Sequence, residues 1–106
     1  MEFDIKRGHY RNLENDGLKN IMAEVFGEVS TEGDMLVAAF GSIKKLKVKL
    51  MDKSTLWVET ETDPATTDAV ALETIRKYNI FMEKATGFTS KQRRERLTKK
   101  AKEGKF

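Results

Sequence analysis

The clearest periodic signal lies in residues 18–26, where Leu18, Ile21, Met22, Val25 and Phe26 recur at i, i+3, i+4, i+7 and i+8 and Gly27 follows as a stop. That spacing lines one side of a helix, so the stretch predicts an amphipathic helix capped by Asn15 or Asp16. Upstream, "FDIKRGHY" sets Phe3 and Ile5 against Asp4 and Lys6 with a period of two and predicts a first strand. Downstream, "DMLVAAFG", "IKKLKVKLM" and "STLWVETET" predict three successive strands, with turn signals at Gly41-Ser42 and Asp52-Lys53-Ser54.

The last hairpin carries enough pattern to predict its register. A three-residue loop at Asp52–Ser54 sets Leu50 opposite Leu56, Val48 opposite Val58 and Leu46 opposite Thr60, giving one consistently apolar face. The other face then pairs Lys49 with Trp57, Lys47 with Glu59 and Lys45 with Glu61, an ion-pair ladder. A two-residue turn at Gly41-Ser42 places Met35, Val37 and Ala39 on the core side and leaves Leu36, Ala38 and Phe40 on the open one.

After the turn signals of "TDPATTD", a second helix is predicted from about Asp68 to Ala85. Ala71, Leu72, Ile75, Tyr78, Met82 and Ala85 form its expected buried stripe, and Gly87 stops it. Thr89-x-x-Gln92 is a capping-box pattern that opens a third helix, whose only apolar pair is Leu97 and Ala101. Such a helix docks along a thin line and leaves most of its surface wet. The order β-α-β-β-β-α-α implies an α+β domain, a four-stranded antiparallel sheet with helices on one face. Residues 1–87 form the expected core, and 88–106 a basic C-terminal helix of the same single domain.

Composition narrows the function classes. No apolar run reaches the ~20 residues of a bilayer span, and "MEFDIKRG" lacks the apolar core of a secretory signal. With no cysteine among 106 residues, a cytoplasmic setting is expected. The net charge of +3 conceals an asymmetry: from Phe88 onward eight Lys/Arg face two Asp/Glu, while the remainder carries twelve basic and fifteen acidic residues. A basic tail on an acidic body points to a polyanionic partner.

Catalytic patterns are missing. His9 is the single histidine, Glu59 and Glu61 are matched with lysines across the hairpin, and Asp63 and Asp68 read as turn and cap residues. The seven glycines sit singly at element ends and form no phosphate loop. The expectation is a non-enzymatic protein with no metal and no cofactor.

Two surfaces remain. Lys91, Arg93, Arg94, Arg96, Lys99, Lys100 and Lys102 spread around the last helix as candidate phosphate contacts for RNA or DNA, sequence-tolerant and salt-sensitive. Alternatively this helix lies against the acidic stretch from Asp52 to Glu73. On the open sheet face, Leu36, Phe40 and Trp57 interspersed with Lys45, Lys47 and Lys49 suggest either a stacking platform for bases or a contact for a protein partner or second copy. If the last helix covers that face, both uses are lost.

The segments "FDIKRGHY", "FGSIKKLKVKL" and "DAVALETIRKYNIFMEKATGFTSKQRRERLTKKAK" resemble a small archaeal family of uncharacterised proteins, a domain of unknown function, over nearly the whole chain. The resemblance implies an archaeal source and a fold similar to one repeat of the TATA-binding protein, a curved antiparallel sheet with helices on its convex side. It implies no catalytic residue and no ligand, and the likeness to the TATA-binding protein is one of fold alone.

Overall fold

The computed structural model describes residues 1–102. Five strands form one antiparallel sheet: β1 (Glu2–Asp4), β2 (Ser30–Glu32), β3 (Met35–Phe40), β4 (Ile43–Asp52) and β5 (Thr55–Thr62), in the order β1-β5-β4-β3-β2. The helices are α1 (Gly17–Phe26), α2 (Asp68–Thr86) and α3 (Ser90–Lys102), with a short 3-10 turn at His9–Asn12. The α+β class and antiparallel sheet are as expected, but there is one more strand. β2 escapes the hydrophobic pattern because Ser30, Thr31 and Glu32 are all exposed; its pairing with β3 holds it in place. The expected first strand is shorter than "FDIKRGHY", since Gly8 turns left-handed and leads into the 3-10 turn. Residues 103–106, the last of the expected basic helix, lie outside the described residues.

The hairpin of β4 and β5 has the predicted register: Leu46 opposite Thr60, Val48 opposite Val58, Lys47 opposite Glu59 and Lys49 opposite Trp57. Its tip differs, because a register shift at Met51 brings Asp52 opposite Thr55 and shortens the loop to Lys53-Ser54. Asp52 Oδ1 accepts from Ser54 N at 2.8 Å and from Ser54 Oγ at 3.0 Å, which closes the loop.

β3 turns its other face. Phe40 lies opposite Ile43, as the two-residue turn requires, but Ala38 then pairs with Leu46 and Leu36 with Val48. The matching shifts toward β3 and β5 mark Lys44 as an extra residue in β4, a β-bulge. One inserted residue exchanges the faces of everything beyond it. Leu36, Ala38 and Phe40 therefore face the helices, and the Phe40 ring meets Phe26 at 6.2 Å. Met35, Val37 and Ala39 take the open side.

The core lies between the sheet and helices α1 and α2, with Leu13, Met22, Leu46, Val48, Leu56, Phe81 and Met82 excluded from water. Thr67 caps α2, its side chain accepting from Val70 N, and left-handed Gly87 ends it. The inner face of α2 carries Thr74, Phe81, Met82 and Ala85, whereas Leu72 and Ile75 are 68% and 56% exposed. The expected stripe is thus rotated: Thr74 takes an inward position because its hydroxyl receives Ser42 N at 2.9 Å and donates to Val70 O at 2.7 Å, fastening α2 to the β3–β4 turn. No helix among the described residues is long and apolar enough to cross a membrane.

Candidate nucleic-acid interface

The capping box forms as read from the sequence: Thr89 N donates to Gln92 Oε1 at 2.9 Å and Gln92 N to Thr89 Oγ1 at 3.2 Å. These reciprocal bonds start α3 immediately after Phe88 and fix which of its cations turn inward. Its main contacts are with β1 and α2. It therefore covers neither the open sheet face nor the acidic stretch from Asp52 to Glu73.

The basic residues of α3 divide into two sets. Arg93 is buried, donating from one terminal nitrogen to Phe88 O at 2.7 Å and from the other to Asn79 Oδ1 at 3.0 Å. Burial lowers the pKa of its guanidinium, against the opposing pull of Tyr78 and Glu83. Arg96 Nε donates to Asp4 Oδ2 at 2.8 Å, and Lys100 pairs with Asp4 Oδ1. These three residues hold the helix on the body. Half-buried Leu97 adds an apolar contact, whereas Ala101 is exposed and contributes none of the expected docking. Lys91, Arg94, Lys99 and Lys102 are the exposed set, with Glu95 among them.

Asp4 is the acidic pivot of this arrangement. Burial alone raises its pKa, but hydrogen bonds and charge from Lys100 and Arg96 outweigh that effect and hold the carboxyl below its ordinary value of 3.8. A carboxylate with a depressed folded pKa contributes stability above the unfolded value and loses it as pH falls through the folded one. Asp4→Asn is accordingly expected to lower the urea midpoint at neutral pH, with the gap to wild type closing as the solution is acidified below 3.8. A gap that stays constant with pH would contradict this role.

Beside α3 lies a cleft of about 560 Å³ that no single segment encodes. Its nine lining residues include Lys6, Arg7, Lys53 and Arg96, and none is acidic. Local bonds bring the pieces together: Ile5 N donates to Ser54 O at 2.9 Å and Lys6 N to Thr86 O at 2.7 Å. His9 Nε2 lies 2.6 Å from Lys84 O, so the single histidine clips the 3-10 turn to α2. Two aromatic faces complete the cleft, Lys53 Nζ standing 5.2 Å from the Tyr10 centroid and Arg96 Cζ 4.6 Å from that of Phe88. Asp4 is engaged by α3 and Asp52 by Ser54. Cations over aromatic rings suit phosphates and the planar groups attached to them.

The open sheet face is different from its expected form. Leu36 and Phe40 are on the other side, leaving Trp57, Met35 and Val37 half-buried among charges. Lys45, Lys47 and Lys49 do lie on this face, but their ion pairs run to the β2–β3 hairpin rather than to Glu59 and Glu61. Lys45 Nζ is 2.8 Å from Glu32, Lys47 Nζ 3.9 Å from Glu32 and Lys49 Nζ 2.6 Å from Asp34. The hydrogen bond and charge of Lys45 lower the pKa of Glu32, and those of Lys49 lower that of Asp34. Each of these lysines is thus paired with a carboxylate, and of the three apolar residues read onto this face only Trp57 lies there. Among the described residues no group of three or more His, Asp or Glu side chains is placed to hold a metal ion.

Fold and surface together define a small α+β protein with a basic cleft beside its last helix. Residues 1–99 match a domain of unknown function, DUF5611, and the chain belongs to that family. It is similar to the NMR solution structure of a hypothetical protein from Thermoplasma acidophilum, with 28% identity and a TM-score of 0.61 over 92% of this chain and 97% of the other. The archaeal relative and the family of unknown function agree with that part of the resemblance read from the sequence. No curated protein matches the chain.

Proposed function

We propose that this protein is a non-enzymatic module that binds single-stranded RNA or DNA weakly and with little sequence preference. Lys6, Arg7 and Lys53 contact phosphates in the cleft, while Lys91, Arg94, Lys99 and Lys102 extend the track along α3. The observation that carries this reading is the cleft lining, four basic residues and no acidic one beside the half-buried rings of Tyr10 and Phe88. Phosphate contacts supply sequence-independent affinity, and aromatic faces accept any base. The grip differs from one spread over all seven cations of α3, because Arg93, Arg96 and Lys100 are committed to the body. The proposed likeness to one repeat of the TATA-binding protein is an analogy of fold and assigns no contact, and a cytoplasmic site of action belongs to the same proposal.

Fluorescence anisotropy with a labelled single-stranded oligonucleotide tests it. Reversing Lys6, Arg7 and Lys53 together to Glu is expected to weaken binding by more than about tenfold. Reversing the exposed Arg76 of α2 should leave affinity unchanged. For about seven phosphate contacts, log K should fall against log salt with a slope near −5. Equal affinity of the triple variant and wild type would sink the proposal.

A further inference from the structure

A second surface lies away from the basic cleft. β1 pairs with β5 only from Thr55 to Trp57, with Met1 extending the contact to Val58. Among the described residues no strand pairs with that side of β5 from Glu59 to Thr62. Since Leu56 and Val58 direct their backbone groups toward β1, alternation sends those of Thr60 and Thr62 outward along the same edge. An unpaired edge is a template for another strand.

Next to this edge, a groove of about 470 Å³ separates β5 from α2. Ile43, Ala71, Ile75 and Tyr78 supply much of its lining, with Thr60 and Thr62 along the strand side. Ile75 and its neighbour Leu72 are the exposed apolar residues that the rotated face of α2 leaves outside the core. On the opposite face of the same strand, Glu59 and Glu61 are exposed and make no ion pair among the described residues, because the lysines across from them bond to Glu32 and Asp34.

We propose that this edge docks an extended peptide segment of alternating apolar and basic residues. Added beside β5, such a segment directs every second side chain into the groove against Ile75 and Tyr78. The intervening side chains then meet Glu59 and Glu61 on the open face. β4 already presents this chemistry to the inner edge of β5, with Leu46 opposite Thr60, Lys47 opposite Glu59 and Lys45 opposite Glu61. The partner is a second strand of the β4 type. A second copy of this chain paired through β5 suits the edge poorly: a two-fold antiparallel register about Thr60 sets Glu59 against Glu61 of the other copy, and like charges directly opposite destabilise a ladder. Backbone hydrogen bonds supply affinity in this mode, and the alternating pockets supply selectivity.

The test titrates the full-length protein with a labelled peptide of about nine residues alternating valine and lysine. A control peptide has the same sequence with alternate backbone nitrogens methylated, which preserves charge but blocks the ladder. The unmethylated peptide should bind at least about tenfold more tightly than the control. Thr60→Pro, which removes one outward N–H, and Ile75→Glu, which charges the groove, should each abolish that advantage. Circular dichroism checks their fold, and the comparison of the two peptides on wild-type protein stands without either variant. Charge reversal of Glu59 and Glu61 to Lys should transfer preference to a valine–glutamate peptide. Equal binding of both peptides, or no binding up to millimolar peptide, overturns the proposal. So does a dimer in sedimentation that Thr60→Pro dissociates while the peptide fails to bind, because the occupant is then a second copy.

Discussion

Gly41→Ala is expected to be strongly destabilising, costing roughly 3–5 kcal/mol. Gly41 has φ +52°, in the left-handed region, and a Cβ there would fall inside the van der Waals shell of Thr74 Oγ1. That hydroxyl accepts from Ser42 N and donates to Val70 O, so it cannot move aside without breaking a buried bond between the β3–β4 turn and α2. Three effects add: the left-handed conformation, the overlap, and the loss of the Ser42 contact. A domain of this size has about 5–15 kcal/mol of total stability, so a shift of this order removes a large part of it. Urea unfolding measures the change. In a cycle with Thr74→Ala the two losses should be strongly non-additive, since removing the hydroxyl also removes the clash. Additive losses would show that the turn and α2 are not coupled here.

The hairpin of β4 and β5 was legible because both of its faces carry information, apolar against apolar on one and lysine against glutamate or tryptophan on the other. α1 and the capping box at Thr89 and Gln92 were legible for a similar reason, each being a local pattern satisfied locally. β3 was misread because its orientation depends on Lys44. The signal was present: Ile43 and Leu46 are apolar residues three apart inside a strand, with two lysines between them, and a period of two accommodates that only by a bulge. β2 had no apolar alternation to detect. The stripe of α2 was misplaced because Thr74, a polar residue, wins its inward position through a hydrogen bond with a turn more than thirty residues away in sequence.

The candidate site was partly legible for a different reason. Charge asymmetry located the basic helix, but charge alone does not separate a cation that binds outward from one that binds the protein. Arg93 meets only a carbonyl and an amide oxygen, and Arg96 and Lys100 meet Asp4 from the far end of the chain. The cleft draws Lys6 and Arg7 from the segment after β1, Lys53 from a hairpin loop and Arg96 from α3, residues that only the fold makes neighbours.

Arg93→Met should distinguish the inward set from the outward one with the second large effect. Methionine keeps much of the volume but donates nothing, so Phe88 O and Asn79 Oδ1 each lose a charge-assisted partner in a partly buried setting, at a combined cost of roughly 2–4 kcal/mol. Arg93→Lys should rescue little, because one ammonium lacks the planar fork that reaches both acceptors. The loss should appear first in α3: amide exchange across Ser90–Lys102 should accelerate before the sheet opens. Oligonucleotide affinity should fall as well, although Arg93 touches no ligand, since a loosened α3 no longer holds Arg96 and the Phe88 ring at the cleft. Arg94→Met should reverse that pattern: it removes an exposed cation, leaves the unfolding midpoint in place, and lowers the salt slope by about one phosphate contact. If both substitutions change affinity equally with no difference in stability or exchange, then α3 binds through all its charges and the division into anchors and contacts is wrong.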